Sequence, residues 1–139
     1  MDYEKHTIAT SDTCIVVKEN KSKFELKNPN RIEIKKTKVD GGLISDDRER
    51  CDWLFAIQDP QPRAMFIELK GCNLDKAISQ LNSTIEHTKD IFKKHSKECF
   101  AITTRVPKND SSTRRLILDM MKKKQAKLTI KNILISVVI

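Results

Sequence analysis

The chain has 139 residues, room for one domain with a real core and too few for two ordinary ones. Lys and Arg number 27 against 19 Asp and Glu, and the resulting +8 favours a polyanionic partner such as nucleic acid. The four cysteines form no C-x-x-C pair, which argues against a zinc knuckle or a dense disulfide framework, and no apolar run is long enough to span a bilayer.

Thr13 to Lys18 and Lys23 to Lys27 are short β-prone runs around ENKS and predict a hairpin, closed off by Asn28-Pro29-Asn30. Residues 1 to about 30 are therefore expected to form an N-terminal β-hairpin extension on a core of about 31–139, within a single domain 1–139. Arg31 to Val39 alternates as a half-exposed basic strand. Asp40-Gly41-Gly42 then turns the chain back through Leu43-Ile44. Cys51 to Gly71 holds two apolar runs joined by a Pro-containing turn. Asn73 is a plausible N-cap for a helix from Leu74 to about Lys94, whose Leu74, Ala77, Ile78, Leu81, Ile85, Thr88 and Phe92 recur at helical steps. Cys99 to Thr104 reads as an interior strand, and Pro107 to Ser112 as a polar connection. A second helix is predicted over Ser112 to Gln125 with Leu116, Ile117, Met120 and Met121 facing inward, and Leu128 to Ile139 supplies one or two closing strands.

The second apolar run, Ala64 to Leu69, reads as a strand buried on both faces, interrupted only by charge at Glu68 and Lys70. Strand alternation places Phe66, Glu68 and Lys70 on one face and Met65, Ile67 and Leu69 on the other. Asp52 stands at the entrance of the first run. If the runs pair as a hairpin, Asp52 and Glu68 come together near one end of the sheet with Lys70 beside them, a set able to hold a divalent metal.

Strand, strand with E-x-K, helix and strand, carrying Asp52 and then Glu68-Leu69-Lys70, resembles the restriction-endonuclease-like, PD-(D/E)XK nuclease superfamily over about Val39 to Arg105. The resemblance implies an α/β fold with a mixed central β-sheet flanked by helices. It also implies that Asp52 and Glu68 bind Mg²⁺ or Mn²⁺, that the Leu69 carbonyl assists, and that Lys70 orients the attacking water. Gln80, about 60° round the helix from Ala77, resembles the glutamine some members add to the site, although an ordinary helix-flank glutamine is an equal alternative. Cys51 stands where the motif has Pro, and the first helix that brings many members a further glutamate is replaced here by strands. The third ligand is therefore open between Asp40 and Glu33, with Asp40 ranked first for its closeness in sequence.

The expectation is a metal-dependent DNA endonuclease with Mg²⁺ or Mn²⁺ as cofactor, and with Lys35, Lys36, Arg114 and Arg115 contacting backbone phosphates. Small members of the superfamily pair to cut both strands, so a homodimer is expected. A defence or toxin setting with a cognate inhibitor or partner protein uses the same residues. The rival is a catalytically silent binding module on the same fold, such as an immunity or antitoxin protein or an assembly subunit. Widely spaced, reduced cysteines and an N-terminus without an apolar leader suggest the cytoplasm.

Overall fold

A computed structural model describes residues 2–69, 73–104 and 111–139. The predicted connection around Pro107 falls outside them.

The first strand, β1 (Thr7–Thr10), was not foreseen, and it joins the main sheet. The predicted hairpin forms from β2 (Cys14–Glu19) and β3 (Ser22–Lys27), paired antiparallel from Cys14↔Lys27 to Glu19↔Ser22. Asn20 takes the positive φ that the tight turn requires. Next come β4 (Ile34–Lys38), β5 (Trp53–Ile57) and β6 (Arg63–Leu69), an antiparallel meander. Between β4 and β5 the chain folds back at Gly41-Gly42. A Cβ on Gly42 would sit 2.3 Å from the Lys38 carbonyl oxygen, so the turn admits only glycine there.

Helix α1 (Leu74–His87) starts at Asn73, whose Oδ1 accepts the Lys76 N–H at 3.0 Å. It ends earlier than the stripe of apolar residues suggests. The Thr88 N–H and hydroxyl both donate to the Thr84 carbonyl, closing the last turn, and Phe92 reaches the core from the turns that follow. After β7 (Ser96–Thr103), α2 (Ser111–Lys124) and β8 (Ala126–Asn132), the chain finishes in β9 (Leu134–Val138). In α2 Met120 is buried and Leu116 and Ile117 are half-buried, but Met121 is 50% exposed, against the inward placement expected of it. It lies about 100° round the helix from Met120, beyond the edge of the buried stripe.

The main sheet has six strands in the order β1-β4-β5-β6-β7-β8, with β6, β7 and β8 parallel. The fold is thus mixed α/β, as expected, but the helices do not flank it on both sides. Ala77, Ile78, Leu81 and Ile85 of α1 and Met120 of α2 all pack with Leu54, Ala56, Ala64, Phe66, Cys99 and Ala101 on one face. The other face is covered by a second sheet, β2-β3-β9, in which β9 runs parallel to β3. Ile15, Val17, Phe24, Leu26 and Ile135 from that sheet meet Phe55, Ile57, Met65, Ile67, Phe100 and Ile102. Phe24 anchors the contact, its ring 4.9 Å from Phe100 and 5.8 Å from Phe55. Because β6 and β7 are buried from both sides, their sequences are nearly unbroken apolar runs. No helix among the described residues is long and apolar enough to cross a membrane.

Candidate functional site

The pairing of β5 with β6 sets Trp53 opposite Ile67 and Leu54 opposite Phe66. Extending that register by one residue places Asp52 opposite Glu68. The ladder continues to this point, since the Asp52 N–H donates to the Ile67 carbonyl at 3.1 Å. The Asp52 carboxylate turns inward, and its Oδ2 accepts the Leu69 N–H at 2.7 Å. It also shares a side-chain hydrogen bond with Glu68, which is only 2% exposed. Two carboxylates from neighbouring strands are thereby held against one another at the end of the sheet.

Two other elements, α1 and the end of β4, fix this corner through three contacts. The Thr84 hydroxyl of α1 accepts the Cys51 N–H at 2.7 Å and donates to the Gln80 carbonyl at 2.9 Å, tying the residue before Asp52 to the helix. The Val39 N–H donates to the Asp52 carbonyl at 3.0 Å, so the end of β4 holds the other side of the backbone. The Ser79 hydroxyl donates to Glu49, anchoring the approach to β5. Sequence reading did not anticipate Thr84, which in a helical stripe looks like one more filler of the core.

Burial pushes Asp52 up to about 6, against the Leu69 N–H, which lowers it. The negative charge of Glu19 raises it further, ahead of the smaller contribution from Asp40, while the hydrogen bond with Glu68 lowers it. Cys51 and Cys99 are fully buried thiols whose ionisation burial strongly opposes, so neither is a nucleophile candidate.

No protein family, curated protein or solved structure matches this chain. The geometry stands by itself.

The residues singled out from sequence separate into those at this corner and those away from it. Asp52, Glu68 and Leu69 are together. Lys70 lies outside the described residues. Gln80 is half-buried, and its Oε1 is shut off from solvent with no hydrogen-bond partner among the described residues, one turn before Thr84 on the same side of α1. Asp40 adjoins the backbone of Asp52 but is exposed and engaged by Arg50, whose Nε lies 3.0 Å from its Oδ1. Glu33 precedes Ile34, which pairs with Ile57, so it belongs to the opposite end of the sheet, about 20 Å along the strand direction from Asp52. There, with Lys35 and His95, it lines a cavity of about 620 Å³ that has no part in the Asp52 corner.

Lys36 projects to the other face, its Nζ 4.8 Å from the Trp53 ring. Arg114 and Arg115 are exposed on α2. That helix packs on β8, four strand spacings or about 19 Å from β4, so the four basic residues form no single patch.

Among the described residues, no group of three His, Cys, Asp or Glu side chains is already gathered closely enough to hold a metal ion. The donor chemistry of the corner still suits a hard divalent cation, because Asp52 and Glu68 press two acids together in a largely dry site. A cation would hold both ionised. Without one, burial and mutual repulsion favour a shared proton.

Proposed function

We propose that this protein is a metal-dependent nuclease hydrolysing phosphodiester bonds, with DNA as its substrate and a restriction-endonuclease-like fold. The observation that carries the reading is the buried contact of Asp52 with Glu68 at the end of a mixed sheet, on the two strands where the PD-(D/E)XK motif requires them. Fold stability gains little from such a pair. Two acids taken from water and set against each other raise the free energy of the charged state, and perturbed carboxylates of this kind cluster at functional sites.

In this reading Asp52, Glu68 and the carbonyl of Leu69 hold Mg²⁺ or Mn²⁺, which when bound supplies a Lewis acid for the phosphoryl oxygen. The Leu69 N–H fixes Asp52 Oδ2, and the Thr84 hydroxyl keeps the strand entrance from shifting. Gln80 brings a buried amide oxygen that has a lone pair to offer a water or a substrate hydroxyl. Lys70 is assigned the orienting of the attacking water on the motif alone. Lys35, Lys36, Arg114 and Arg115, with the net charge of +8, attract the phosphate backbone. Cytoplasmic location, pairing of two copies and a cognate inhibitor or partner belong to the same proposal.

The second reading is the silent binding module, and the lack of a ready-made three-residue cage among the described residues favours it. Cleavage of supercoiled plasmid with Mg²⁺, Mn²⁺ or EDTA separates the two. Metal-dependent nicking by wild type, lost in folded Glu68→Gln and Lys70→Ala, supports the nuclease. A folded wild type inert with either metal supports the binding module.

A further inference from the structure

Strand β9 forms an open edge of the second sheet. Among the described residues β3 is its one strand neighbour, and its sequence LISVV carries no charge, proline or glycine to block a further strand. The Ile133 carbonyl accepts the Lys23 N–H, and the Ile139 N–H donates to the Lys27 carbonyl, so the odd-numbered residues of this segment bond β3. Leu134, Ser136 and Val138 therefore turn their backbone N–H and carbonyl groups outward. The side chains of Leu134 and Val138 are exposed beside that edge. The opposite edge strand, β2, ends in the charged pair Lys18-Glu19.

Between β9 and the main sheet lies a groove of about 170 Å³. Its floor is β8, where Lys127, Thr129 and Lys131 pair with Glu98, Phe100 and Ile102 and so share the face on which the second sheet packs. Lys127 and Lys131 are exposed and about 13 Å apart along the strand. Neither has an acidic partner among the described residues, and Glu98, beside Lys127, is already held by Arg63 at 2.9 Å. The second sheet stops at β9, so a strand added to its edge lies over β8 and points every second side chain at these lysines.

We propose that the β9 edge and this groove bind an extended acidic segment of another protein as an added strand, its alternate carboxylates facing Lys127 and Lys131. Two demands identify the occupant. The outward N–H and carbonyl groups call for a polypeptide backbone, since a nucleic-acid strand brings phosphates for the lysines but no donors and acceptors at the strand repeat. A second copy of this chain fails on charge, because its own β9 would set only uncharged side chains over the two ammonium groups. The groove lies on the face of Phe100 and Ile102, whereas Asp52 and Glu68 share the helix-covered face of Leu54 and Phe66, so binding there is independent of whether that corner cleaves.

Fluorescence anisotropy on the full chain tests this with a labelled peptide in which Glu alternates with Val and Thr, set against the same peptide with Lys for each Glu. Wild type is compared with Lys127→Glu, Lys131→Glu, Ser136→Pro and, on the far edge, Lys18→Glu, each checked for folding by circular dichroism. Ser136→Pro removes an outward N–H and spares the bonds to β3, and the lysine reversals carry the test if that variant does not fold. The expected result is binding of the acidic peptide only, weakened at least about tenfold by each lysine reversal and by Ser136→Pro, and less than about twofold by Lys18→Glu. Absence of binding to wild type overturns the proposal. Equal weakening by Lys18→Glu reduces the effect to net charge and overturns it too, and unchanged affinity in folded Ser136→Pro overturns strand addition. A single-stranded oligonucleotide that binds more tightly than the peptide and is lost in the same lysine variants gives the groove to nucleic acid instead. A dimer seen by sedimentation and abolished by Ser136→Pro gives the edge to a second copy, and either result overturns the acidic partner.

Discussion

With no cation bound, Asp52 titrates near 6 in the folded chain against an ordinary value of 3.8. The folded state therefore holds this proton more tightly than the unfolded state. The corresponding stability is fully present below about pH 4 and is lost as pH rises through 6, a difference of about 3 kcal/mol. Asp52→Asn removes the penalty while its amide keeps both bonds, the oxygen accepting the Leu69 N–H and the nitrogen donating to Glu68. Melts in EDTA from pH 4 to pH 8 are expected to show Asp52→Asn overtaking wild type above pH 6, by up to about that amount, and a flat difference would contradict the assignment. The variant is expected to lose all cleavage. More stable and less active is the pattern of a site residue, whereas a structural residue would lose stability.

At the scale of the elements, two small polar side chains do more than their size suggests. Thr84 links α1 to the strand entrance through the Cys51 N–H. Thr84→Val keeps the shape but leaves that buried N–H unbonded, at an expected cost of about 1–3 kcal/mol by urea denaturation, with cleavage falling further than stability explains. Asn28 is fully buried after β3, its Nδ2 donating to the carbonyls of Asp12 and Ile32 and its Oδ1 accepting the Ile32 N–H at 3.0 Å. Asn28→Ala is expected to cost about 2–3 kcal/mol with Mn²⁺ affinity unchanged, since the Ile32 it holds leads into Ile34 opposite Ile57, at the far end of β5 from Asp52. A parallel loss of Mn²⁺ would refute that separation.

These elements were unevenly legible in the sequence. The hairpin, the meander and both helices follow from periodicity and turn residues, and the pairing of Asp52 with Glu68 follows from strand register. Strand β1 did not, because TIAT is four residues long with half its side chains exposed and no apolar alternation to mark it. The end of α1 was misread because Phe92 continues the helical spacing, whereas the Thr88 bonds to Thr84 end the helix in fact.

For the molecule as a whole, the second sheet covers the face that the helices leave open, and Phe24 is its keystone against Phe55 and Phe100. Phe24→Ala is expected to cost about 3–5 kcal/mol in chemical denaturation. Because that sheet covers the face of Ile67 and Leu69 and not that of Phe66 and Glu68, Mn²⁺ affinity of the folded variant is expected to stay unchanged. A parallel loss of affinity would show that the hairpin and the metal site are coupled.

The parallel pairing of β3 with β9 has a bearing on biosynthesis. Residues 22–27 are laid down early, yet their neighbours at 134–138 leave the ribosome more than 100 residues later. Until then the hairpin has no flanking strand, and closing so long a loop is slow. The two-sheet side of the fold, with Phe24 against Phe55 and Phe100, is therefore completed only once β9 has docked.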